Sequence, residues 1–227
     1  MIKVENIDVF NFEGALRGMR NPLQSHSKSD SAYGCDVETS CANCGFKPDW
    51  CGNATHYVIG KNDLELMQKL YKAGTEHRKY LRQIFVSMDI TCNHTFWAEF
   101  DTYKVGVTRN SCSKMHRIHA KEFMESDFSH EGISEVGYHT EECFKVVVKE
   151  LEHLRIMYNN SHDKKFWRAL IELLPMGYNL KATVTMNYEN VVTIIKQRTG
   201  HRLTEWNTFV EILKDLPYVK EIIGEQP

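Results

Sequence analysis

The chain has 227 residues, with 28 Lys and Arg against 30 Asp and Glu, so its formal net charge is -2 with histidine neutral. That length, with 42% hydrophobic residues, suits a soluble globular chain with a buried core. The near-zero charge excludes a general nucleic-acid or other polyanion binder, and apolar runs of only a few residues exclude a transmembrane helix.

The first residues alternate apolar and polar, predict a strand over 2–10, and lack the apolar core of a signal peptide, so a cytoplasmic protein is expected. A helix follows over 12–20 and stops before Asn21-Pro22. Residues 24–56 hold scattered Ser, Gly and Cys with no periodicity and read as a long loop or insert. Asn62 or Asp63 is suited to cap a helix carrying Leu64, Met67, Leu70 and Tyr71, with Gly74 as its stop. Residues 84–91 alternate as a strand, 96–104 form an aromatic, acidic helical stretch, and 105–114 read as a polar loop.

Phe144, Val147, Val148, Leu151, Leu154 and Tyr158 share one face of a helix over 140–158, with Thr140 as its cap. A second helix spans 163–173 before Pro175, and 180–186 alternates as a strand. Asn187 caps a helix through Arg198, stopped by Gly200, and the last amphipathic helix covers 203–215. The expected fold class is α+β, in a single domain over 1–227 with more helix than strand.

Four of the seven cysteines, Cys35, Cys41, Cys44 and Cys51, fall within the insert. Without an export signal a disulfide scaffold is disfavoured. One Cys-x-x-Cys turn, at Cys41 and Cys44, suits a structural zinc held by all four thiolates, which would order the insert. Incidental free thiols, or a redox pair at Cys41 and Cys44, are the alternatives. His116 and His119 lack a companion carboxylate motif and read as surface histidines. Asp89 and Asp101 are carboxylates beside apolar residues, placed either to accept from a ligand or to pair with Lys104.

Leu174-Pro175 is followed twelve residues later by Asn187 and eleven further on by Arg198, ahead of Leu203 and Trp206. Thr108, Asn110 and Ser113 form a Thr/Ser-x-Asn-x-x-Ser pattern after Tyr103-Lys104-Val105. Upstream stand Ala73-Gly74-Thr75-Glu76-His77 and the early helix Ala15-Leu16-Arg17-Gly18-Met19-Arg20. This arrangement resembles the flavin-dependent thymidylate synthases over most of the chain apart from the insert, as a divergent member.

The resemblance implies a small, mostly antiparallel sheet with several helices, in a homotetramer with active sites at subunit interfaces. It further implies FAD and dUMP bound side by side, with methylenetetrahydrofolate as carbon donor and a reduced nicotinamide as reductant. The reaction implied is methylation of dUMP, or a related change at C5. By position, Arg198, Ser113, Thr108 and Lys104 would bind the nucleotide, and Asn110, His77 and Asn187 the cofactor; no residue is assigned to catalysis. In plain physical terms, the loop from Thr108 to Lys114 offers hydroxyls, backbone N–H groups and cations to a phosphate, and Arg198 a planar guanidinium. The blander readings are ordinary turn chemistry at 108–113, a helix-terminal cation at Arg198, and core or subunit-interface packing, rather than a flavin stack, for Phe96, Trp97, Phe100 and Tyr103.

The sequence departs from the family at two places. The family's Arg-His-Arg is Tyr103-Lys104-Val105 here, where Lys104 restores one charge without bidentate geometry. Glu189 stands where a second arginine follows Asn187, and would repel a phosphate. The alternative is therefore a catalytically altered nucleotide-binding or interaction protein of the same fold, with a zinc-stabilised insert.

Overall fold

Two nine-residue segments with in-and-out alternation frame the chain. Val86, Met88, Ile90 and Cys92 are buried along Phe85–Asn93 (β4), and Leu180, Ala182, Val184 and Met186 along Asn179–Asn187 (β6). This is the period-two burial of strands with one packed face. The computed structural model describes residues 2–35 and 54–224. Lys3–Phe10 (β1) and Val107–Ser111 (β5) flank the two long strands in a small antiparallel sheet of order β1-β4-β6-β5. Side-chain bonds Thr183 to Asp89 (2.6 Å) and Thr185 to Ser87 (3.3 Å) follow the antiparallel register of β4 and β6. Ala32–Cys35 (β2) and Ala54–Val58 (β3) form a separate antiparallel pair with Tyr33 opposite Tyr57.

The helices among the described residues are Phe12–Arg20 (α1), Lys61–Lys72 (α2), His94–Phe100 (α3), Lys114–Arg117 (α4), Glu131–Val136 (α5), Tyr138–Ser161 (α6), Lys164–Leu173 (α7), Tyr188–Arg198 (α8), Thr204–Lys214 (α9) and Val219–Ile223 (α10). The α+β class is as expected, and among these residues no helix is long and apolar enough to cross a membrane.

The chain divides into two compact units. The first comprises Met1–Ile7, Ser87–Thr185 and Gly200–Phe209, the second Asp8–Val86, Met186–Thr199 and Val210–Pro227. In the first, Phe96, Phe100, Trp206 and Phe209 bury almost completely and meet in stacked and edge-on pairs, with Phe96 and Trp206 at 4.4 Å. The α6–α7 hairpin forms another core around Phe144, Val148, Leu151 and Leu170, which also takes in Ile118, Phe123 and Phe128. In the second unit Phe12 packs edge-on against Tyr188 and Tyr218, and the Tyr80 hydroxyl donates to the Met67 carbonyl at 2.8 Å.

Several expected boundaries shift for identifiable reasons. The polar loop over 105–114 contains β5, whose short edge strand carries too few apolar residues to signal itself. Helix α6 begins at Tyr138 rather than after Thr140, behind Gly137 at φ +124°, a conformation glycine adopts freely. Helix α2 is capped neither by Asn62 nor by Asp63. Its N-cap is Gly60, and the Asp30 carboxylate accepts from the Asn62 and Asp63 amides at 2.9 and 3.1 Å, so the cap comes from another segment. A β-carbon at position 60 would run into Asp30, so this approach requires glycine. Gly74 does stop the region after α2, at φ +106°.

The aperiodic 24–56 stretch contains a 3-10 turn at His26–Lys28, then β2, and at its end the start of β3. Cys35 closes β2, while Cys41, Cys44 and Cys51 lie outside the described residues. Among the described residues no three His, Cys, Asp or Glu side chains are grouped to hold a metal ion.

Candidate functional site

In the first unit, β4 passes directly into α3 through Asn93, whose side chain accepts from the Phe96 amide at 2.9 Å and donates to Glu205. This junction places His94 at the first turn of α3, where its amide donates to the Met176 carbonyl at 2.9 Å. Trp97 follows one turn on, with its indole N–H donating to the Leu180 carbonyl at 2.9 Å. Alternation along β5 half-buries Arg109 and exposes Thr108 and Asn110. The strand then turns through Cys112, whose amide donates to Lys181, into Ser113, the N-cap of α4.

These segments surround a cleft of about 590 Å³ whose polar lining includes His94, Arg109, Ser111, Ser113 and Lys114, and whose apolar wall includes Trp97 and Met176. The Arg109 guanidinium lies over the Trp97 ring at 4.9 Å and pairs with Asp101 at 2.8 Å. Asp101 thus pairs with Arg109, where the sequence suggested Lys104. Lys104 is exposed and borders a much smaller hollow beside Tyr103 and Arg109.

The electrostatics of the cleft favour an anion. Burial, reinforced by Arg109, holds the Lys114 ammonium below its ordinary pKa. Burial, then Lys114 and Arg109, push His94 down to about 4, so its imidazole is neutral at pH 7. An ammonium has only hydrogens to give. The 3.4 Å contact of Lys114 Nζ with His94 Nδ1 therefore assigns the ring proton to Nε2. Ser113 Oγ accepts from the His116 amide, which leaves its hydrogen to donate. Two cations share one cleft whose described lining holds a single carboxylate, Asp101, while the Trp97 ring lies buried beneath Arg109. A phosphate complements that arrangement.

Of the expected nucleotide residues, Ser113 lines this cleft, whereas Thr108 and Lys104 do not; Asn110, expected at the cofactor, shares the exposed face of β5 with Thr108. His77, Asn187 and Arg198 belong to the second unit. There Asn187 caps α8 by accepting from the Asn190 amide at 3.0 Å, as its position after a strand suggested. Arg198 ends the same helix, and His77 is exposed in the turn after α2. Glu189 does not stand as an open negative charge. Arg78 grips it through Nε and Nη2, one edge of its guanidinium, at 2.8 to 3.1 Å, while lying over Tyr71. This pair joins the turn that carries His77 to the first turn of α8.

His94 escaped the sequence reading as a site residue, whereas Trp97 stands there in the aromatic run weighed between core packing and a flavin stack. The signal that would have found His94 is positional: both long strands end in an asparagine that caps the next helix, which puts residues 94 and 188 at matching places. Asp89, the other open carboxylate, is spent within the sheet. Bonds from Thr183, Asn6 and Lys181 hold it down to about 2.

No protein-family model and no curated protein sequence matches the chain. Solved structures do. Thymidylate synthase X from Helicobacter pylori, crystallised with FAD and dUMP, matches with a TM-score of 0.65 at 15% identity, over 98% of this chain and 97% of that one. A second crystal structure of the flavin-dependent thymidylate synthase from Helicobacter pylori, complexed with FAD and dUMP, gives 0.63 at 14%, over 97% of each chain. The fold of this chain is that of the flavin-dependent thymidylate synthases.

Proposed function

We infer that this chain binds a deoxyuridine nucleotide and FAD and acts as a flavin-dependent thymidylate synthase-like protein. The observation that carries the reading is the cationic cleft at 109–114, in which Arg109 and Lys114 stand beside Trp97 with Asp101 as the one lining carboxylate among the described residues. A phosphate there offsets the burial, and then the Arg109 repulsion, that depress Lys114, and the same chemistry serves the phosphate of dUMP or the pyrophosphate of FAD. Arg109 and Lys114 take phosphate oxygens, Ser113 donates its hydroxyl, and neutral His94 adds no third charge. Asn187, His77 and Arg198 are assigned to the flavin and nucleotide by the resemblance alone. FAD, when bound, supplies the hydride chemistry that these side chains lack. A folate carbon donor, a reduced nicotinamide, a homotetramer and a cytoplasmic location belong to the same proposal.

A second reading is favoured by Tyr103. Where the family has the first arginine of its Arg-His-Arg, Tyr103 is buried against Phe100 and Trp206, so its ring serves the core. A nucleotide-binding protein that has lost or altered turnover accommodates this directly, with the Cys35, Cys41, Cys44 and Cys51 insert as a zinc-held contact surface.

Absorbance between about 350 and 500 nm after FAD addition, and thermal shifts with dUMP, separate the two ligands. Lys114→Met removes a charged hydrogen bond and should weaken phosphate-bearing ligands roughly 10- to 150-fold. Protein that takes up no FAD and shows no dUMP shift sinks both readings. Binding without dUMP-dependent turnover selects the second.

A further inference from the structure

A cavity of about 950 Å³ in the second unit takes no part in the cleft described above. The end of β1, the start of α1, the β2–β3 pair and the residues leading into α10 form its walls. Three carboxylates line it, Asp8, Glu13 and Glu221, and among the described residues no lysine, arginine or histidine does. Glu13 accepts from the Tyr33 hydroxyl at 3.3 Å and stands 3.7 Å from Arg17, an exposed pair of small worth. Among the described residues neither Asp8 nor Glu221 has an ion-pair partner. The Tyr57 phenol is pushed up by burial and then by Asp63 and Glu13, as a negative local potential requires.

The remaining wall is aromatic. Tyr33 and Tyr57 meet edge to face at 5.1 Å, and Phe12 and Tyr218 at 5.6 Å. Such pairs leave electron-rich ring faces available to a cation. No three carboxylates are grouped tightly enough, among the described residues, to share a metal ion, so the negative charges act at separate points. Separate carboxylates alternating with aromatic faces complement a cation whose charges are spaced along an apolar chain. The volume lies at the upper end for small-molecule sites and admits such an extended ligand.

We propose that this cavity binds an aliphatic polyamine, its ammonium groups on Asp8, Glu13 and Glu221 and its methylene chain against Tyr33, Tyr57 and Tyr218. The test is calorimetric titration of the full chain with spermidine at low ionic strength. One spermidine per chain is expected, with affinity falling at least about tenfold in Glu13→Gln/Glu221→Gln and separately in Tyr57→Leu. Magnesium at matched ionic strength should leave spermidine bound. Unchanged affinity in the double variant overturns the assignment, and so does full displacement by magnesium, which would reduce the effect to diffuse charge screening. Asp8→Asn, on the exposed end of an edge strand, serves as an independent variant should the double variant unfold. Sedimentation of the same samples guards against another occupant: a second copy of the chain seated in the cavity, with spermidine excluded, also overturns the proposal.

Discussion

Asp63→Asn should be among the most damaging conservative substitutions in this chain. The Asp63 side chain is wholly buried and accepts from five donors. Arg20 Nε reaches Oδ1 at 2.6 Å, and Oδ2 takes the hydroxyls of Ser29 and Ser31 at 2.7 and 2.6 Å and the amides of Asp30 and Ser31 at 3.1 and 3.2 Å. Arg20, itself 3% exposed, spends its other nitrogens on the Ser25 and Lys28 carbonyls at 3.2 Å. An asparagine replaces one acceptor by a donor that faces donors, and leaves Arg20 buried without its counter-ion. The loss expected from breaking a buried pair is about 3–5 kcal/mol. At roughly 2–4 °C per kcal/mol for a chain of this size, that is a fall in Tm of roughly 6–20 °C.

The acid limb of the stability curve gives an independent check. Burial raises the Asp63 pKa, but bonds from Ser31, Ser29 and Arg20 outweigh it, and the carboxyl titrates below its ordinary range. Its contribution is complete above the unfolded carboxylate range, near about pH 4, and is lost as pH falls through the lower folded value. Urea unfolding from neutral pH down to the acid limit, for the parent and Asp63→Asn, measures both effects. A loss under about 1 kcal/mol at neutral pH, or an undiminished acid limb in the variant, would refute the reasoning.

Trp206→Ala removes the ring that contacts Phe96, Phe100 and Phe209 and should cost about 3–5 kcal/mol, read from the urea midpoint at unchanged slope. His94, held down to about 4, should show no imidazole titration by NMR from pH 5.5 to 8. Because the unfolded chain takes that proton near pH 6.5, the His94 contribution makes stability fall as pH drops from there toward about 4. Lys114→Met should move the His94 titration upward, since it removes one of the two cations that oppose protonation.

Elements whose logic is local were legible in the residues. Alternation revealed β4 and β6, and an asparagine at the end of a strand marked the start of α8. The same device at Asn93 went unread because His94-Thr95-Phe96-Trp97 offers no periodic pattern strong enough to fix a boundary. Features that depend on distant partners stayed hidden. The α2 cap comes from Asp30, and Glu189 looked repulsive until Arg78 was seen to neutralise it. In the site, the Ser-rich turn and its cations were readable. The alternation that turns Arg109 inward and Thr108 and Asn110 outward was not, because five mostly polar residues do not announce a strand.

The bidentate grip of Arg78 on Glu189 also bears on how this sequence can vary. Both side chains are largely buried, so reversing or deleting either charge alone strands its partner away from water. Positions 78 and 189 are thereby bound into a single heritable unit. A lineage can pass from one charge arrangement to its mirror image only through an intermediate of lowered stability, or by changing both residues at once.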